Sequence, residues 1–491
     1  MHRGLFRLAN LALAPLLALC SWISLNPYFL WDYHRHMSVA GMVAGLLAVI
    51  AFAVGDRPRR KEALGFLLIA VFVFYISMLP KTDGTLTRWY FVLPTMLALA
   101  IFNDDRRQQV LKYFSWIFAL SLVPGIVVSL LTIANYQIDF GRLASANPVM
   151  AAGRGYYLEA PGALLLGSNS ISLPWGGFLF RLCAMYDEPG MVGTIGVLLL
   201  AANRFKLNSI VFFTIFVGGI LSCSLAFCML AVLGFGISAV LNRSPFSLVP
   251  CAIAGLLGMM VIGIFSIEPV PKFPFPDNIA RVHYAVLEGD TDPAASPAEV
   301  VEPSNSDVTQ SPVAPAPQTS DATAVSPLPV PDAVASEPVI VAQPDSSKVA
   351  AKPPTLRQTE YINNRSLPGM DRLVAEYWGG GIKTILLGVS SDASVVRGGV
   401  SQVVTRLLTD FGLIGTLLFT ISLISLAYTI IKNADSKTWA ALFFVLFALS
   451  IYQRPIIWMP YAFTFFICGS IYAGRKPADR AGSSSNLVMQ S

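Results

Sequence analysis

The chain has 491 residues, 54% of them hydrophobic and only 13% charged, with a formal net charge of +5 and a mean hydropathy of +0.61. Soluble globular domains carry about 25% charged residues, so this balance excludes an ordinary soluble domain. It describes an integral membrane protein whose first partner is the lipid bilayer, and nucleic acid is not among the partners expected.

A helical crossing of a ~30 Å hydrocarbon core takes about 20 residues. Apolar runs of that order lie near 9–30, 37–55, 63–80, 86–102, 113–133, 189–203, 207–222, 224–241, 246–267, 402–431, 438–452 and 455–473. The first, in "MHRGLFRLANLALAPLLALCSW", continues towards Trp31 without a small-x-small cleavage site, so an uncleaved span is expected rather than a signal peptide. The seventh and eighth form one apolar block divided only by Ser222, Cys223 and Ser224. A single long span there would reduce the count from twelve to eleven.

Charge decides between them. Lys and Arg gather in alternate gaps, at Arg3 and Arg7, Arg57 to Lys61, Arg106 to Lys112, Arg204 and Lys206, Arg243, Lys432 and Lys437, and Arg475 to Arg480. The other gaps hold Arg35, Lys81, Arg88 and Arg454. The positive-inside rule then places both termini in the cytoplasm, which requires an even number of spans. The expected fold is an all-α polytopic membrane protein of about twelve transmembrane helices with two large periplasmic segments. Its parts are spans one to five in 1–133, a first outer segment at 134–188, spans six to nine in 189–267, a large outer loop at 268–401, spans ten to twelve in 402–473 and a cytoplasmic tail at 474–491.

The two outer segments differ in character. In the first, "EAPGALLLGSNSISLPWGGFLF" is too broken for a spanning helix and too apolar for an open loop. It reads as a partly interfacial or re-entrant segment anchored by Trp175 and Phe178. The second contains a spacer, 289–354, rich in Pro, Ala, Ser, Val and Asp and lacking any aromatic residue. Such a composition cannot bury enough apolar surface to offset its ordering entropy, so disorder is expected. The six cysteines imply no internal disulfide, and the four histidines (His2, His34, His36, His283) have no ligand spacing. No metal or other cofactor is expected.

Charges are nearly absent from the apolar runs and gather instead at their outer edge. In "RLCAMYDEPGMVGTIGVLLLAAN", Arg181, Asp187 and Glu188 stand just before a Pro-Gly step into a helix. One reading makes Glu188 a helix cap, placed at the positive end of the helix dipole. In "SQVVTRLLTDFGLIGTLLF", Arg406 and Asp410 are four residues apart and share a helix face, where they can pair. Arginine forks bind phosphate oxygens, and a lipid diphosphate at a membrane surface presents several. A neighbouring carboxylate can take the proton of a sugar hydroxyl whose oxygen attacks an anomeric carbon. Together these describe glycosyl transfer from a lipid-linked donor.

"RLCAMYDEPGMVG", a following pair of apolar runs broken by "LSCSLAF", a long outward loop and then "SQVVTRLLTDFGLIGTLLF" resemble the bacterial O-antigen polymerase and ligase superfamily over most of the chain apart from the spacer. The ligases of that superfamily carry a histidine eleven residues before the first glycine of the "GLIG"-like element. Here that glycine is Gly412 and the position is Ser401, with no histidine beyond His283. The resemblance therefore implies a polymerase of O-antigen or exopolysaccharide in the bacterial inner membrane. Its substrates would be undecaprenyl-diphosphate-linked oligosaccharide and the growing polysaccharide chain, and a chain-length regulator and a flippase are further partners that the family suggests. Glu188 is the candidate base or hydroxyl-orienting group, with Asp187 second. Arg181, Arg397 and Arg406 are candidates for gripping diphosphate or sugar, together with Arg154 and Arg372. The alternatives are a ligase passing polymer to lipid A core or another acceptor, and, from a different class, a flippase or transporter of lipid-linked oligosaccharide.

Overall fold

A computed structural model describes residues 2–33, 35–79, 92–144, 156–243, 245–266, 368–391, 393–394, 403–453 and 459–475. The spacer at 289–354 and the tail from 476 onward lie outside the described residues. The described chain is mostly helical. Helices lie on each of the apolar stretches: α1 (His2–Ile23), α2 (His36–Ala53), α3 (Ala63–Met78), α4 (Val92–Ile101), α5 (Asp104–Ile133), α6 (Pro189–Ala202), α7 (Ile210–Leu221), α8 (Leu225–Asn242) and α9 (Leu248–Ser266). After the long outer segment come α10 (Pro368–Gly379), α11 (Gly381–Leu387), α12 (Val403–Asn433) and α13 (Lys437–Gln453). The last helical stretch runs from α14 (Pro460–Thr464) through a π-helical turn, Phe465–Gly469, into α15 (Ser470–Gly474). Four of these, α2, α5, α8 and α12, are long and apolar enough to cross a membrane, and several others are shorter apolar helices.

Between α7 and α8 the chain reverses. Cys223 takes a positive φ of 45°, α6 packs on both helices, and the start of α6 at Gly193 lies against Ser224 while Phe205, beyond its end, lies against Gly234 of α8. The apolar block is thus two helices joined by the Ser222–Ser224 turn.

The expectation of an all-α chain fails in one place. Residues 141–144 and 156–184 form a four-stranded antiparallel sheet, β1 (Gly141–Ala144), β2 (Tyr156–Ala160), β3 (Ala163–Ser172) and β4 (Phe178–Ala184), in sequential order. Pro161-Gly162 makes the tight β2–β3 connection, and Gly176 donates to the Leu173 carbonyl at 3.0 Å in the turn before β4. The Gly, Pro and Ser that break the apolar runs are turn residues here. One face of the sheet, with Leu165, Phe180 and Leu182, joins the main core, and Gly125 of α5 leaves room for Leu182. The other face packs Tyr157, Leu164, Leu166 and Cys183 on Tyr28 and Trp31, which follow α1. A sheet covered on both faces has no clean apolar–polar alternation to announce it.

The opposite end of the bundle is held by ions. Arg107 of α5 is fully buried. Its Nη1 contacts Glu62 Oε2 at 2.7 Å, and its Nε donates to the Leu99 carbonyl at 2.7 Å and its Nη2 to the Ala100 carbonyl at 3.3 Å. Those carbonyls belong to the last turn of α4, which has no intrahelical donors for them. Arg106 pairs with Asp56 at 2.9 Å, Arg59 with Asp104 at 2.6 Å and Arg475 with Asp105 at 2.5 Å. Arg204 donates to the Ala473 carbonyl at 2.9 Å. The basic gaps after α2, α4, α6 and the final helix therefore meet at one end, and the sheet lies at the other end of α5 and α6.

Candidate functional site

The first cluster grows from β4 and its exit into α6. Side chains alternate across a strand, so Phe178, Phe180 and Leu182 turn to the helices and Arg181 and Cys183 turn the other way. Arg181 stands opposite Leu166 of β3, which stands opposite Tyr157 of β2. This row leads towards the "YDEP" junction.

Three consecutive junction residues have three separate fates. Tyr186 is fully buried, accepts from Trp22 Nε1 at 2.9 Å, shares a 2.6 Å hydrogen bond with Ser121 Oγ and stacks on Phe118. The Tyr157 hydroxyl is shared between the backbone carbonyl of Asp187 and its Oδ1, the latter at 2.7 Å. Glu188 occupies the N-cap position of α6 in extended conformation, with Pro189 beginning the helix, yet its side chain makes no capping hydrogen bond. Tyr186 therefore pins the junction to α1 and α5, Tyr157 holds Asp187 to the sheet, and the Glu188 carboxylate is not spent on the amides of α6. The cap reading is not what the geometry shows.

Arg181 is partly buried, and its Nε is buried with no hydrogen-bond partner among the described residues. It lies close to the α7–α8 turn. Burial pushes the Cys223 thiol up to about 11, and the positive charge of Arg181 pulls it the other way. An arginine with a buried, unpartnered Nε, the positive end of a 14-residue helix and a carboxylate at that helix's N-cap position are thus supplied by β4 and α6, beside the Ser222–Ser224 turn. The arrangement can receive an anion and a nearby hydroxyl.

The second cluster surrounds the start of α12. Arg406 Nε lies 3.5 Å from Asp410 Oδ2, the pairing that their spacing allows. Asp410 is buried and also accepts from the Ser394 amide at 2.9 Å and the Ser394 hydroxyl at 2.5 Å. Just beyond it, Gly412 breaks the helix with φ 65° and ψ −173°. A Cβ there would stand 2.3 Å from the Leu386 carbonyl oxygen, and one on Gly388 would stand 2.7 Å from the Asp410 carbonyl oxygen. Two glycines thus let α11 and α12 cross backbone to backbone, stitched by Val389 N–H to the Thr409 carbonyl at 2.8 Å. The Phe411 carbonyl accepts from the Tyr75 hydroxyl at 2.9 Å. Gly415, the other glycine of the "GLIG" element, makes room for the Tyr75 ring.

Asp187 and Glu188 adjoin at the β4–α6 junction, Arg181 lies on the strand leading into it, and Arg406 belongs to the second cluster. Arg372 is exposed on α10, which packs on α11 and α12. Arg154, Arg397 and Ser401 lie outside the described residues. Sequence reasoning missed Tyr157, because "GYYLEAPG" carries no signal that one of its tyrosines will meet a carboxylate 30 residues later. It also missed the approach of Arg181 to Cys223, which only the α7–α8 reversal creates. Set against family models, curated proteins and solved structures, the chain matches none of them.

Proposed function

We propose that the chain is a membrane glycosyltransferase that polymerises undecaprenyl-diphosphate-linked oligosaccharide repeats at the periplasmic face of the bacterial inner membrane. The observation that carries this reading is the β4–α6 junction, where Arg181 has a buried Nε without a hydrogen-bond partner among the described residues and Glu188 does not cap its helix. The donor diphosphate lies against Arg181 and the amide end of α6. Glu188 takes the proton of the acceptor hydroxyl as its oxygen bonds to the anomeric carbon. The bond from that carbon to the diphosphate breaks, and undecaprenyl diphosphate leaves with the electron pair. Asp187, held by Tyr157, supports the position of the junction, and Arg406, with Arg154, Arg372 and Arg397, contributes cations to the sugar or diphosphate.

This reading includes twelve spans with both termini in the cytoplasm. The meeting of the basic gaps at one end of the bundle, opposite the sheet, supports that orientation. The test is deletion of the gene in its host, followed by resolution of surface and lipid-linked glycans on a gel. A polymerase leaves single repeats on the acceptor and no long ladder. Long polymer held on the lipid carrier beside bare acceptor would mean a ligase. Loss of every repeat from the outer surface, with lipid-linked single repeats retained inside, would mean a flippase.

A further inference from the structure

Two helices begin side by side at the sheet end of the bundle. α6 starts at Pro189 and α8 at Leu225. They run parallel, since Gly193 near the start of α6 lies against Ser224 while Phe205, beyond its end, lies against Gly234 of α8. Glycine sets the closeness of the first contact: a Cβ on Gly193 would stand 2.7 Å from Ser224 Cβ and 2.9 Å from its Oγ. Gly193 is four residues beyond Pro189, so α8 begins about 6 Å deeper along the helix direction than α6. Two positive helix ends therefore stand one step apart.

Ser224 is the N-cap residue of α8, where a serine hydroxyl ordinarily accepts from the helix's first amides. Here its side chain makes no such bond, and those amides have no acceptor within the helix. The residue is only 3% exposed, yet its hydroxyl has no hydrogen-bond partner among the described residues. Ser222, two positions earlier in the same turn, donates to the Gly219 carbonyl at 2.6 Å. A buried hydroxyl left without a partner costs free energy that a bound acceptor recovers. Arg181 stands beside this turn. Its Nε is buried and unpartnered among the described residues, and its charge acts on Cys223, the residue before Ser224. The donors left over at this end of the bundle, a guanidinium nitrogen, a hydroxyl and the first amides of two helices, are the complement of an anion with two centres.

We infer that Ser224 and the amide end of α8 bind the second phosphoryl group of a lipid diphosphate whose first phosphoryl lies at the start of α6, with Arg181 between them. The inference rests on the proposed role of the β4–α6 junction as the seat of the donor diphosphate. It adds a specificity-determining residue. A monophosphate reaches one helix end only, whereas a diphosphate reaches both and accepts the Ser224 hydroxyl proton in a charge-assisted hydrogen bond.

The test is equilibrium binding of undecaprenyl diphosphate and undecaprenyl monophosphate to the full chain in phosphatidylcholine nanodiscs, read by native mass spectrometry. The wild type is expected to bind the diphosphate on the order of tenfold more tightly. Ser224→Ala is expected to abolish that preference and to leave the monophosphate unchanged. Ser224→Asp separates ligand binding from helix capping, because aspartate is as good a cap as serine but repels an anion. It is expected to bind the diphosphate more weakly than Ser224→Ala does. A thermal-shift measurement without ligand confirms that both variants are folded. Equal binding of the two lipids by the wild type would overturn the inference, as would a Ser224→Ala variant that keeps the preference or a Ser224→Asp variant that binds the diphosphate as the wild type does. No sugar is transferred in this assay, so its outcome is separate from that of the gene deletion. A deletion showing no loss of polymer would remove the polymerase and leave the two-phosphoryl seat, whereas equal binding would remove the seat and leave the polymerase.

Discussion

The hydroxyl of Tyr157 holds the carboxylate of Asp187 at 2.7 Å, across a sheet that no periodicity announced. One of two adjacent carboxylates is thereby committed to the scaffold. Tyr157→Phe removes a charge-assisted hydrogen bond, of a kind that contributes about 1.5–3 kcal/mol. On the proposed function it is expected to lower kcat on the order of tenfold with little change in KM. The assay is polymerisation of a lipid-linked repeat in proteoliposomes. An unchanged kcat would confine the bond to folding.

Glu188→Gln separates chemistry from capping. The side chain makes no capping bond to the α6 amides, and the variant is expected to lose about 10²- to 10⁴-fold in turnover while remaining folded. Full activity would remove Glu188 from the mechanism. A fall in melting temperature with activity retained would return it to the helix end.

At the α12 break, Gly412→Ala meets both a left-handed φ and a backbone oxygen 2.3 Å away. Strain of the first kind alone costs about 1–3 kcal/mol. The protein is expected to unfold at markedly lower temperature in detergent. Gly415→Ala meets Phe411 Cβ at 2.6 Å and the Tyr75 ring at 2.7 Å, but without a left-handed φ, and is expected to cost less. Equal losses in the two variants would show that crowding, not backbone conformation, dominates.

Removing Arg107 leaves the buried Glu62 without its closest cation and two carbonyls of α4 without donors. Arg107→Met is expected to cost about 3–5 kcal/mol, read as a fall in melting temperature, because an unpaired buried charge remains. Adding Glu62→Gln is expected to recover part of that loss. Failure of the second substitution to recover anything would show that the carbonyl bonds, rather than the charge pair, carry the stabilisation.

The helices were legible because apolar stretches of the right length are long-range statistical features that survive local irregularity. The pairing of Arg406 with Asp410 was legible for the same reason that any four-residue spacing on a helix is. The meander from Gly141 to Ala184 was not, since both faces are covered and its turn residues mimic an interrupted interfacial segment. The "GLIG" element could be seen as a motif but not understood. Its physical cause, the approach of Gly412 to Gly388, joins residues whose contact depends on how α11 and α12 cross. Likewise Asp187 and Glu188 look equivalent in sequence, and the Tyr157 bond to Asp187 sets them apart in the fold.

The ion pairs at the basic end give the same side chains two roles in time. On a nascent chain Arg59, Arg106, Arg107 and Arg475 are bare cations that can steer the order of insertion. After assembly each of them has a carboxylate partner. On the proposed orientation the topogenic signal is consumed by the fold that it directs, and α3, α4 and α5 must all be in place before Arg107 can be sealed. Misinsertion of any one of those helices would leave Arg107 and Glu62 as unpaired charges at an apolar surface.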